Sequence, residues 1–330
     1  GGTYTITITA TTGTLRGWTF GWGGDKAKML DISEWGDFDF TNSSTFTQCA
    51  NMICTATDVP TISGTSLAYA FFGCTLWNPA TAGLWDVSSC TSINSVFIFC
   101  TPFNQDIDAW DVSNVTDFGG VFYGTAFNYP LPSWDTGLGQ TFNQMFFGTP
   151  FDQDIDMWDM SSAMSLYSMF YNCTAFNQDL NSWNTTNVNS MSSIFAGCTV
   201  FAGDISSWDV SGCSNFSYAF YQSSVFNTDI SAWTVSSGTN FTNMFQSAAL
   251  FDQDVSGWNV GNATDLNSMF DGATAFNQDI SAWNTANVTN MQNTLRNLPS
   301  FDQDLGSWDI TSVTNFSAFM TGTTLSTPNY

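Results

Sequence analysis

Carboxylate is nearly the only acid–base chemistry this chain offers. It holds 28 acidic residues against four lysines and arginines, and no histidine. Ser-His and Cys-His catalysis are therefore excluded, as is any histidine metal ligand. Paired carboxylates are the tools of glycoside hydrolysis, but catalysis needs one constellation that does not repeat. Here the aspartates return in register with a tryptophan. One column follows it by a single residue: Asp86, Asp111, Asp135, Asp159, Asn184, Asp209, Thr234, Asn259, Asn284 and Asp309. Another precedes it by four: Asp106, Asp154, Asp179, Asp204, Asp229, Asp254, Asp279 and Asp304. No catalytic residue is assigned, and the chain is expected not to be an enzyme.

The column after the tryptophan is the leading binding candidate. On a strand running through the tryptophan, those side chains point outward on an exposed sheet face. Stacked carboxylates repel unless protonated, hydrogen-bonded or bridged by a cation. Two readings stay open: a ladder of Asx hydrogen bonds, or contact with a ligand or Ca²⁺. The Asp-Gln-Asp triplets Asp152/Asp154, Asp252/Asp254 and Asp302/Asp304 are candidate Ca²⁺ clamps. Their bland alternative is a corner fixed by side chain to backbone bonds. No other cofactor is expected.

The positioning elements follow from the tryptophan itself. It recurs at Trp85, Trp110, Trp134, Trp158, Trp183, Trp208, Trp233, Trp258, Trp283 and Trp308, every 24 or 25 residues. Steps backwards reach Pro60 and Trp35, giving 12 rungs. Such a period means a stacked solenoid. An aromatic stands seven residues before it and an aliphatic three before. A Met-Phe type pair follows at eleven and twelve. The pattern IxxWxV reads as a short strand. The next segment, SNVTNMxxMF, has apolar residues three to four apart and predicts a helix of two turns or fewer. Residues 1–24, with TYTITITATTG, read as an N-terminal β-hairpin cap, and 25–330 as one repeat domain. Pro130 and Pro132 break the usual corner in a rung of 24 residues, which is expected to bulge. Beginning at Gly1, the chain reads as a processed product.

Of eight cysteines, Cys49, Cys74, Cys100, Cys173 and Cys198 share one column with Ala, Thr and Ser. That marks a small buried position. Rung-to-rung disulfides, Cys49 to Cys74 or Cys173 to Cys198, are the alternative. The net charge of -24 leaves no basic patch for nucleic acid. No apolar run is long enough for a membrane helix.

The repeat FNQDISxWDVSNVTNMxxMF resembles the BspA-like leucine-rich-repeat surface proteins. FNQDIDAWDVSNVTDF at 103–118 and FNQDISAWNTANVTNM at 276–291 carry the likeness, which spans about residues 25–320. The resemblance implies a leucine-rich-repeat-like solenoid of α/β class on secreted, cell-surface or phage-borne proteins. It brings no catalytic residues. The combined expectation is a right-handed solenoid of about 12 rungs, with short parallel strands and short helices. Its function would be binding or adhesion at a cell or particle surface. The partner would be a host or neighbouring-cell surface protein or glycan. A fibre, spike or surface-layer subunit that stacks on copies of itself is the alternative.

Overall fold

The computed structural model describes residues 15–16, 19–20 and 24–326. The tryptophan period is an axial repeat. Parallel bridges join Ser66, Ser92, Asp117, Thr141, Ser165, Ser190, Asn215, Asn240, Asp265, Asn290 and Asn315 in one line. Nearer the N-terminus, β1 (Leu15–Arg16) pairs parallel with β3 (Phe38–Asp39). β2 (Asp31–Ile32) pairs with β4 (Ile53–Cys54). The chain is thus a repeat solenoid whose neighbouring rungs run parallel.

The expected rung helices are absent. Among the described residues, only Lys26–Lys28 and Ala82–Leu84 are helical, each a single 3₁₀ turn. The segment predicted as helix is instead a run of linked turns, so the α/β assignment is corrected. In one rung the N–H groups of Leu166, Ser168, Phe170 and Asn172 donate to Ser190, Ser192, Ile194 and Ala196 of the next rung. Those of Met169, Tyr171 and Cys173 donate three residues back, to Leu166, Ser168 and Phe170. Alternate residues therefore serve the ladder and the turn. An α-helix would send every N–H back along its own segment and leave the ladder without donors.

Two left-handed residues per rung make this possible. Ser168 and Asn172 have φ of 53° and 56°. The same four-residue pair recurs twelve times, from Ser44 and Gln48 to Ala318 and Gly322. Glycine and asparagine tolerate this region, and serine and glutamine also fill it here. From Trp85 to Trp308 the ladder starts seven residues after each tryptophan of the repeat, and no strand runs through those tryptophans.

The interior is a set of aromatic columns. Trp183 and Trp208 stack at 5.9 Å and 3°, and Phe170 and Phe195 at 5.5 Å and 7°. Phe195 also stacks at 3.9 Å on Phe201, the aromatic seven residues before Trp208. From Trp110 to Trp308 each indole N–H donates to the carbonyl of the aliphatic residue one rung back, as in Trp183 to Ile155 at 2.9 Å. A buried donor is thereby satisfied by the stacking itself. Trp35, Trp77 and Trp85 sit where the columns tilt, and their buried indole N–H groups lack a partner.

The eight cysteines are free thiols. The disulfide alternative gives way because the thiols of the shared column turn to carbonyls instead. Cys74, Cys100, Cys173 and Cys198 donate to Phe46, Phe71, Phe146 and Phe170 at 2.8–3.1 Å. Burial pushes Cys49, Cys54, Cys90 and Cys213 up to about 11 and Cys173 to about 12.

The shortened rungs have a local cause away from Pro130. Thr125 and Thr149 occupy the cysteine column, and each Oγ1 accepts the N–H of the phenylalanine two residues on, Phe127 or Phe151. Elsewhere that phenylalanine bonds back three residues, as Phe176 does to Cys173. A hydroxyl thus closes the corner with one residue fewer, and the bridge ladder continues unbroken through both rungs. The proposed hairpin cap lies outside the described residues, apart from its later residues. Leu15–Arg16 already belongs to the parallel ladder.

Candidate functional site

The column after the tryptophan is exposed throughout, from Asp86 to Asp309, including Thr234. It lies in turns six residues ahead of the ladder, not on a strand. Its carboxylate or amide oxygens accept the main-chain N–H two residues on, at 2.9–3.2 Å. Asp86, Asp111, Asp135, Asp159, Asn184, Asp209, Asn259, Asn284 and Asp309 all do so. Each is an Asx turn. The neighbouring hydroxyl, then the N–H, holds Asp86, Asp111, Asp159, Asp209 and Asp309 below the usual carboxylate range. Asp111 beside Asp86 pushes weakly the other way.

The column four residues before the tryptophan repeats the device. Asp106, Asp154, Asp204, Asp229, Asp254, Asp279 and Asp304 accept from the residue two positions on. The residue six before the tryptophan reaches across rungs instead. Asp152 accepts from the main chain of Asn177 and the amide of Gln178, and Asp252 does the same for Asn277 and Gln278. Asp302 accepts from Ser326. The FNQD spelling therefore encodes one bond up the stack and one within the rung. Within each Asp-Gln-Asp triplet the two carboxylates serve different partners. Among the described residues, no three Asp, Glu, Cys or His side chains form a set that could hold a metal ion.

One constellation does not repeat. Asp271 is 3% exposed and accepts two bonds from Arg296, at 3.0 and 2.6 Å. Gln246 and Asn297 add one amide bond each, at 3.2 and 3.1 Å. All four lie on the ladder side of adjacent rungs. Sequence reasoning missed this group. Its only sequence signal is that Arg296 stands 25 residues after Asp271, an acid and a base in one column.

The ladder side is otherwise almost uncharged. Between residues 65 and 180, ten of eleven aspartates lie off its segments, and Asp117 alone lies on them. Asp117 accepts from the Asn94 amide and the Gly119 N–H. The molecule thus carries acidic columns on its turns and an amide, hydroxyl and aromatic surface on its ladder.

The fold is similar to a leucine-rich repeat protein from Eubacterium ventriosum, with a TM-score of 0.41 and 11% identity. That likeness covers 92% of this chain and 85% of the other. It is also similar to a leucine-rich repeat protein from Bacteroides ovatus, with a TM-score of 0.33 and 12% identity, over 97% and 88%. No curated protein matches the chain. A family model matches residues 65–180, 140–249 and 229–329, most of the repeat, and by that match the chain belongs to the family described as Mycoplasma protein of unknown function, DUF285.

Proposed function

We propose that this chain is a non-enzymatic binding or adhesion module, displayed extracellularly on a cell or particle surface. It is read as BspA-like and leucine-rich-repeat-like, on the spelling of its repeat. Its partner is a host or neighbouring-cell surface protein or glycan. The observation that carries the reading is the recurrence of one exposed Asx turn, with the same bonds, from Asp86 to Asp309. A contact made once on such a column is available again on the next rung, so weak contacts add by avidity.

The test replaces Asp111, Asp135, Asp159 and Asp209 together by Asn, which keeps the acceptor of each turn. Adhesion of the bead-coupled protein to cells or glycan surfaces should fall at least about tenfold, with circular dichroism unchanged. Undiminished adhesion would remove this column as the contact face. Turnover of a glycan or peptide would overturn the non-enzymatic reading. The second reading, a subunit that stacks on copies of itself, is favoured by Ile310 and Phe316, exposed 51% and 46% on the last described rung. An ordered filament seen by electron microscopy would decide for it.

A further inference from the structure

The ladder side carries a line of surface rings that the fold does not require. Phe99 meets Tyr123 edge-on at 5.2 Å. Tyr123 stacks on Phe147 at 4.2 Å and 4°, and Phe147 on Tyr171 at 4.5 Å and 5°. Four successive rungs are thereby joined outside the core. Phe99 is 44% exposed, and the other three are half-buried.

Two observations show that this line is not a packing demand. Tyr123, Phe147 and Tyr171 share a column with Ala196, Gln246 and Thr321, thirteen residues after the tryptophan. The repeat therefore folds without a ring there. Phe99 also holds φ at 58°, in a position that other rungs fill with Gly, Asn, Gln or Ser. A bulky residue in the left-handed region is strained. Gly124 below it makes room, since a Cβ there would come within 3.1 Å of the Phe99 ring. Tyr69 and Tyr218, exposed 37% and 39%, hold the same region at φ 58° and 59°, so what sets Phe99 apart is that its ring meets Tyr123 at the head of the line.

The charge pattern selects the occupant. The whole chain carries -24, so two copies approaching through their acidic turns repel. The segments bearing the rings (91–99, 116–124, 140–148 and 164–172) hold one charge, Asp117, already hydrogen-bonded. A line of rings along the axis also fits itself under a two-fold rotation, the symmetry of most homodimers. With about 200 Å² per ring, of which 44% is exposed at Phe99 and a smaller share at the other three, the line presents roughly 150–300 Å². A stable interface needs roughly 800 Å² per partner, so the flanking amides and hydroxyls must form most of the contact.

We propose that two copies of this chain associate antiparallel through the Phe99–Tyr171 line, leaving the acidic turns on the outer sides of the pair. The test is the mass of the full chain by light scattering and sedimentation. The expected result is a dimer that strengthens from about 50 to about 500 mM salt as residual repulsion is screened. Tyr123→Gln with Phe147→Gln, residue types the column already accepts, should give a monomer of unchanged circular dichroism. Tyr129→Ser, an exposed ring in the proline corner, should leave the dimer intact. If the double variant misfolds, Tyr171→Gln alone should weaken the dimer at least about tenfold, roughly 1.4 kcal/mol. A wild-type monomer at all salt concentrations overturns the proposal. So does a dimer that survives the double variant, or a monomer whose ring line instead retains a neutral glycan.

Discussion

The indole N–H of Trp208 donates to the carbonyl of Leu180, one rung back, at 2.8 Å. Both groups are buried, and the same bond links nine successive tryptophans to the rung before them. The tryptophan column is thus a hydrogen-bonded spine as well as an apolar one. Trp208→Phe keeps an aromatic but removes one of the two donors to the Leu180 carbonyl, leaving the Trp183 main-chain N–H, at a cost of about 0.5–1.5 kcal/mol beyond the smaller ring. Trp85 supplies the control. Its indole N–H has no partner, so Trp85→Phe removes an unsatisfied donor and should cost distinctly less. Equal losses in urea unfolding would show that the bond contributes nothing.

The threonine corners make a second prediction. Thr149 Oγ1 accepts from Phe151 and donates to Phe146. Thr149→Val keeps the shape, leaves the Phe151 N–H unpaired and should cost about 1–3 kcal/mol. Thr149→Ser should recover most of that. A valine variant as stable as wild type would mean that the short corner closes without the hydroxyl.

Arg296 anchors the buried carboxylate of Asp271. Arg296→Ala removes two charge-assisted bonds from Asp271 but leaves the Gln246 and Asn297 amides in place. The expected loss is roughly 1.5–3 kcal/mol. Adding Asp271→Ala should return part of it, because the stranded charge is gone. Strictly additive losses in that double-mutant cycle would deny the pair any coupling.

Acid should unfold the protein through its Asx turns. Donors from Ser256 and Ser281 hold Asp254 and Asp279 below the ordinary 3.8, as their counterparts do after the tryptophan. Such a carboxyl binds fewer protons folded than unfolded. Its contribution is complete above the unfolded value and is lost as pH falls through the lower native one. Urea midpoints should therefore hold from neutral pH to about 5 and drop below about 4. A midpoint that rises below about 4 would mean that relief of the net negative charge outweighs the turns.

The thiols should be silent in the native state. Burial raises all eight, and Cys100 and Cys198 stand well above the ordinary 9.0. At mildly alkaline pH an aromatic disulfide reagent should react first with half-buried Cys54, and with the remainder only on unfolding. Rapid labelling of Cys100 or Cys198 without unfolding would contradict their burial.

The sequence by itself determined the period and the buried columns, and it offered Asx turns as one of two readings of its aspartates. Each of these is written in side-chain type: Trp and Phe return where the interior is, small residues where room is short, and Asp where a backbone N–H needs an acceptor. The tertiary structure alone decided the backbone. Apolar residues three to four apart suit an α-helix and a run of linked turns equally well. The choice fell to φ at positions such as Ser168 and Asn172, which the ladder between rungs holds left-handed. The position of that ladder, the corner closed by Thr125, and the meeting of Asp271 with Arg296 were also settled only by stacking. Periodicity records which side chains leave water; which main-chain groups pair depends on the rung above and the rung below.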